Sequence, residues 1–132
     1  MPREARPRWP WSEADFIRLR HILDAAAQIR SFVAQRSRES LRVDDIATLG
    51  LVKAVEIIGE AASVLDASVR EAVPGVPWPK IIAMRHRLVH AYFDIDLEIV
   101  WATCTKAVPQ LERQLHEFIN RWAPPDPAQD RG

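Results

Sequence analysis

The ten prolines of this 132-residue chain are not spread evenly, and their placement constrains the fold more than any other feature. They gather at Pro2–Pro10, Pro74–Pro79 and Pro124–Pro127, with Pro109 alone inside a periodic region. Proline lacks an amide hydrogen and fixes φ, so it is excluded from helix interiors and suits helix starts. Long regular elements must therefore run between these clusters. In those intervals apolar residues recur at three- and four-residue steps, and no strand alternation, tandem repeat or glycine-rich phosphate loop appears. The expected fold is all-α, an up-and-down four-helix bundle whose last helix is kinked or split at Pro109.

Residues 1–11 are rich in proline and arginine and carry no apolar period. They are expected to form a flexible arm, with Trp9 and Trp11 as its candidate anchors. One helical domain follows over residues 12–122, and residues 123–132, which lack an apolar face, are expected to be a disordered tail. A first helix should start at Ser12, where Ser12-Glu13-Ala14-Asp15 supplies a capping oxygen and early acids, and run to about Arg36. Arg38 to Arg42 reads as a polar turn. A second helix, from about Val43 to Leu65, carries more apolar residues than one stripe can hold, so it is central in the bundle or buries a second face against another chain.

Gly59-Glu60-Ala61-Ala62 is a patch of small residues within that second helix. A helical glycine costs about 1 kcal/mol relative to alanine, so a close helix approach should offset it there. Glu60 is either a solvated charge or the holder of a basic residue. Pro74 to Pro79 then ends the helical pattern, and a third helix begins at Pro79 and ends before Asp94, which can cap the fourth. The fourth runs through Val100, Trp101, Cys104 and Val108, and after Pro109 the period resumes to Trp122.

Eighteen basic residues balance eighteen acidic ones. A chain without net charge exerts no long-range pull on nucleic acid or anionic membrane, so any such binding must come from a local patch. The lone Cys104 fits a reducing compartment. No apolar run reaches membrane-span length, and the first residues lack a signal-peptide core. A cytoplasmic protein with no membrane association is expected.

Chemistry concentrates in Met84-Arg85-His86-Arg87-Leu88-Val89-His90-Ala91-Tyr92. On a helical wheel Arg85 shares the apolar side with Ile81, Met84, Leu88, Val89 and Tyr92, while His86, Arg87 and His90 point away. Arg85 and His90, five apart, do not meet as residues three or four apart would. If they form one site, the helix ends near His90 or a second copy completes the site. Histidine exchanges protons near neutrality, and arginine offers a phosphate fixed charge and a donor fork, so the pair suits attack of a ribose 2′-hydroxyl on its own phosphodiester. The same residues also suit a plain structural role: His90 as a helix C-terminal cation, Arg85 as an ion-pair partner and Tyr92 as an edge-of-core aromatic. His86 and His90 have the spacing of a metal-binding pair, but with arginines beside them and no third ligand near in sequence no metal is expected. His21 and His116 are assigned no role.

The spacing Arg85, four residues, His90, one residue, Tyr92 resembles the RxxxxHxY motif of the HepT-like toxins, in the HEPN superfamily of helical ribonucleases. The surroundings are similar too: Ile57-Ile58-Gly59-Glu60-Ala61-Ala62, Trp78, Met84-Arg85, Leu88 through Asp96, and Val100-Trp101. The resemblance covers the four-helix region and omits both tails. It implies a homodimer whose cleft holds Arg85 and His90 of both chains and cuts RNA without metal or other cofactor. It implies a toxin-antitoxin system, whose antitoxin is an MNT-type nucleotidyltransferase that silences the toxin by adding AMP to Tyr92. Many relatives carry a polar amide directly after the motif arginine, where this chain has His86. An imidazole there can replace the amide's hydrogen bond, serve as a second acid/base group or spoil the site. Glu60 and His86 are thus the auxiliary candidates beside Arg85, His90 and Tyr92. The alternative function is a non-catalytic helical dimer that binds nucleotide or a nucleotidyltransferase, and a plain structural adaptor is a third.

Overall fold

Ser12 starts the first helix through a reciprocal contact with Asp15. The Ser12 hydroxyl oxygen accepts the Asp15 amide at 3.1 Å and the hydroxyl donates to Asp15 Oδ2 at 3.0 Å. In the computed structural model, which describes residues 5–90 and 94–126, this opens α1, Glu13–Val33. Asp15 is 4% exposed, and its other oxygen accepts the amide of Asp66, 51 residues away, at 3.1 Å. A single buried carboxylate thereby ties the start of α1 to the end of the next long helix. The first helix stops three residues short of the expected Arg36, in a tightened turn where Gln35 donates to the Phe32 carbonyl and Arg36 to that of Val33.

A 3₁₀ turn at Arg38–Ser40 leads to α2, Ile46–Val64, capped by Asp45, whose carboxylate accepts the Ala47 amide. Its apolar excess has a double explanation. The helix packs on both α1 and the fourth helix, burying Leu51, Val52, Val55, Ile58 and Ala62, yet Ile46, Leu49, Ile57 and Val64 remain exposed.

A short helix that the sequence pattern does not reveal, α3 at Ala67–Ala72, follows. Six residues are too few for a recognisable period. Its cap is Asp66, which accepts the Ser68 hydroxyl at 2.6 Å and the Ser68 amide at 2.9 Å. These two bonds, with desolvation opposing and Arg70 nearby, hold the Asp66 carboxyl below its usual range. The next helix, α4, spans Trp78–His90. Trp78, buried, donates its indole N–H to the carbonyls of Arg70 at 3.0 Å and Val73 at 3.1 Å, which locks the proline-rich turn between α3 and α4.

The fourth expected helix is divided. Its first part, α5, covers Leu97–Ala102 and is capped by Asp96, not by Asp94 as expected, since Asp96 Oδ1 accepts the amides of Glu98 and Ile99. A π-helical turn at Thr103–Ala107 joins it to α6, Val108–Ile119. The wide turn answers Pro109, which cannot donate to the preceding turn and whose ring would crowd the carbonyl four residues back. Cys104 faces the core there, fully buried, and burial pushes its thiol up to about 12, so it stays protonated. The assembly is all-helical, α2 lying between α1 and α4 while α6 packs on the other side of α1.

Within residues 5–11, expected as part of a flexible arm with Trp9 and Trp11 as its anchors, Trp9 is buried and Trp11 half-buried, while Ala5, Pro7, Arg8 and Pro10 stay exposed. Trp9 is 7% exposed and meets Trp11, Phe16 and Phe118 with ring centroids 5.0, 5.3 and 5.8 Å away. Its amide donates to the Ala123 carbonyl, and the Ala123 amide to that of Pro7, so the first residues of the expected tail are held as well. Burial of large aromatic surface outweighs the absence of a helical period. Residues 1–4 and 127–132 of the expected arm and tail lie outside the described residues. No described helix is long and apolar enough to cross a membrane.

Asp15→Ala would leave the Asp66 amide without its acceptor and the Ser12 hydroxyl without its own. We expect a loss of about 1–3 kcal/mol in urea unfolding, with unchanged helix content in the folded state.

Candidate active site on the fourth helix

The site is set by how closely α4 approaches α2. A Cβ added at Gly59 would fall 2.1 Å from Arg85 Cβ, 2.8 Å from Arg85 Cγ and 3.2 Å from the Ile81 carbonyl oxygen. Only a residue without a side chain allows that contact. The stem of Arg85 therefore lies directly on the α2 backbone, and its guanidinium reaches Glu60, Nη2 to Oε2, at 2.9 Å. Both side chains remain partly exposed, 34% for Arg85 and 54% for Glu60, so the pair is open to solvent and to an incoming anion. Of the two roles open to Glu60, it takes that of holding the basic residue.

The helical wheel holds for much of α4, with the exception of Val89, expected on the apolar side but exposed. Leu88 is buried and Ile81 and Met84 are partly so, whereas His86, Arg87 and His90 are on the outer side. The imidazoles of His86 and His90 rest against one another, with ring centroids 4.3 Å apart and planes at 50°. The structure thus brings together Arg85 with Glu60 and His86 with His90. Among the described residues no hydrogen bond, ion pair or ring contact joins Arg85 to His90. Tyr92 lies outside the described residues.

Beside Arg85 a groove of about 880 Å³ runs between α1, α2 and α4. Ile17 and His21 line it from α1, Ile57 and Glu60 from α2, and Arg85 and Val89 from α4. Its apolar walls are partly open, Ile17 being 43% exposed, Ile57 40% and Val89 37%. His21 is the residue that sequence reasoning missed. It stands more than sixty positions from Arg85, and no local spacing signals that the two share a wall. His116, on α6, does not line this groove. Among the described residues no group of three or more His, Cys, Asp or Glu side chains is placed to hold a metal ion.

Chemically, Arg85 offers a fixed cation with two-point recognition of a phosphate, and His86 and His90 offer proton carriers on a different face of α4. Comparison with known proteins points the same way. Residues 22–118 match the family described as "Ribonuclease HepT-like". The chain is 37% identical over 103 residues to "Putative RNase TTE0752" of Caldanaerobacter subterraneus subsp. tengcongensis, covering 78% of this chain and 92% of that protein. It is 31% identical over 100 residues to "Probable ribonuclease HepT" of Thermococcus cleftensis, covering 76% and 91%. Similarity extends to "Putative RNase MJ1380" of Methanocaldococcus jannaschii, 29% identical over 94 residues, or 71% of this chain and 86% of that one. No solved structure gives a significant match.

The two glycines of α2 give an internal comparison. Gly59→Ala must push α4 away from α2, so we expect a loss of about 1–3 kcal/mol and an altered Arg85–Glu60 pair. At Gly50 an added Cβ meets nothing within 4 Å. Gly50→Ala is expected to stabilise the chain by about 0.4–1 kcal/mol, and denaturant titrations of the two variants check both signs.

Proposed function

The chain belongs to the family of HepT-like ribonucleases of the HEPN superfamily, and from that premise we propose that it is a metal-independent endoribonuclease acting as a homodimer. The observation that carries this reading is the seating of Arg85 on Gly59, which presents a guanidinium at the wall of an open groove, with His90 exposed on the other flank of the same helix. In the proposed reaction His90 takes the proton of a ribose 2′-hydroxyl, whose oxygen attacks the adjacent phosphorus. The bond from phosphorus to the 5′-oxygen breaks, and the leaving oxygen receives a proton from the partner's His90. The products are a 2′,3′-cyclic phosphate and a 5′-hydroxyl. Arg85 stabilises the negative charge that gathers on the phosphoryl oxygens in the transition state.

Dimerisation is supported by the groove itself, whose exposed Ile17, Ile57 and Val89 form an apolar surface next to Arg85. In the free chain Glu60 occupies the guanidinium, and the substrate phosphate takes its place or shares it. The toxin-antitoxin role belongs to the same proposal. A nucleotidyltransferase antitoxin transfers AMP from ATP to the Tyr92 phenol oxygen, pyrophosphate leaving, and the added anion and adenosine block the cleft.

A second reading, a non-catalytic dimer that binds nucleotide or the transferase, is favoured by the existing Arg85–Glu60 pair, which leaves Arg85 neutralised in the free chain. The two are separated by incubating unmodified protein with labelled RNA in excess EDTA. Cleavage giving cyclic phosphate ends is expected, with Arg85→Ala and His90→Ala each slower by about 10²–10⁴. Intact RNA after exposure to a folded, unmodified dimer would decide for the binding reading.

A further inference from the structure

A second groove, of about 860 Å³, lies on the opposite flank of the site, between α3 and α4. Trp78, Pro79 and Ile82 supply its apolar lining, and Arg70, His86 and Arg87 its charged or polar one, with Glu71 the single acid. Trp78 is fixed by its two hydrogen bonds to the Arg70 and Val73 carbonyls. Neither Arg70 nor Arg87 has an ion-pair partner within the described residues, whereas Arg18, Arg30, Arg38 and Arg85 each have one. Asp66 is close enough to feel Arg70, but its Oδ1 is engaged by the Ser68 hydroxyl and amide. At the other end of the groove His86 touches His90.

We propose that this groove binds the single-stranded RNA flanking the scissile bond, phosphates pairing with Arg70 and Arg87 and an unstacked base lying on Pro79 and Ile82 beside the edge of the buried Trp78. Three features select this occupant. Apolar floor and cationic rim alternate as bases and phosphates do along a single strand. Two guanidiniums outside any ion pair share the groove lining with one carboxylate, Glu71, while Asp66 lies near Arg70 and Asp94 and Asp96 border Arg87 from the neighbouring hollow. The groove is also continuous, through His86, with the proton carrier His90. This inference rests on the ribonuclease reading and adds to it where the strand runs beyond the cut.

The test uses the full untagged chain and a fluorescent oligoribonucleotide whose 2′-hydroxyls are all methylated, so that it binds without being cut. Anisotropy titrations compare the parent with Arg70→Gln, Arg87→Gln and, as an equal charge change on α6, Arg113→Gln. We expect Kd to rise about three- to tenfold for the two groove variants and to stay near the parent value for Arg113→Gln. The slope of log Kd against log salt should shrink by about 0.7 for each phosphate that is no longer neutralised. Arg70→Lys, which keeps the charge, should recover much of the affinity, and thermal melts confirm folding. On a cleavable oligomer of the same length the effect should fall on KM, the signature of binding shared by ground and transition states. A parent that cuts RNA while both groove variants bind like Arg113→Gln overturns the groove and leaves the ribonuclease reading standing. The groove is equally overturned if the variants lose only their hold on a nucleotidyltransferase. A parent that neither binds nor cuts RNA overturns both.

Discussion

The contact of Arg85 with the backbone at Gly59 is the constraint from which the rest of the molecule follows. A helix-to-helix approach this close fixes the rotation of α4 about its axis, because only one residue can sit on the glycine. With Arg85 there, Leu88 turns into the core and His86, Arg87 and His90 turn outward. The same contact places the guanidinium beside Glu60, one position along α2, so a packing decision becomes an electrostatic one. The helical cost of a glycine, about 1 kcal/mol, is offset by packing that no other residue permits.

Much of this was legible in the sequence, and the limits were physical. The long helices could be read because a 3.6-residue period repeated over 12 or more residues is a strong signal, and Ser12 was readable as a cap from the acid three positions on. What failed was short or distant. The six residues of α3 carry too little pattern, and its sign, Asp66 before Ala67-Ser68, looks like many turns. Asp94 and Asp96 are equally suited to cap α5 on composition, and only backbone geometry chose Asp96. Trp9 and Trp11 are legible as anchors of the N-terminal segment, but what they rest on is not, because aromatic burial has no period. Trp9 finds Phe16, Phe118 and Trp122 across the whole length of the chain. At the site, the Arg85 and His90 spacing was visible, as was the room that Gly59 makes. The presence of His21 in the groove wall was not, since tertiary proximity alone puts it there.

Zero net charge suggests indifference to nucleic acid, yet the charges are not evenly used. Several arginines are tied into the fold: Arg30 to Glu112 across α1 and α6, Arg38 to Glu98 between a turn and α5, and Arg6 to the Asn120 carbonyl. Pairs such as these, partly exposed, add little stability each, but they remove cations from the outward field. The arginines of the α3–α4 groove have no ion-pair partner among the described residues, and a neutral chain can therefore keep two guanidiniums available beside its candidate chemistry. Whole-chain charge describes solubility and steering at a distance, whereas recognition within a Debye length is governed by what remains unpaired locally.

The spacing between Arg85 and His90 bears on why such a site would need two copies. Five helical residues separate two side chains by about 140° around the axis, and the structure shows the result: Arg85 faces α2 and the larger groove, while His90 rests against His86 on the other flank. One phosphodiester cannot be gripped from both sides of a single helix. In the dimer proposed above, the second copy would have to bring its own His90 to the phosphate held at Arg85. Exposed Ile17, Ile57 and Val89 then serve a purpose that a lone chain does not give them, since they border the Arg85 groove and would lose water as the cleft forms. In the proposed dimer, the apolar excess of α2 and the wide spacing in α4 would both follow from one arrangement, a site divided between copies.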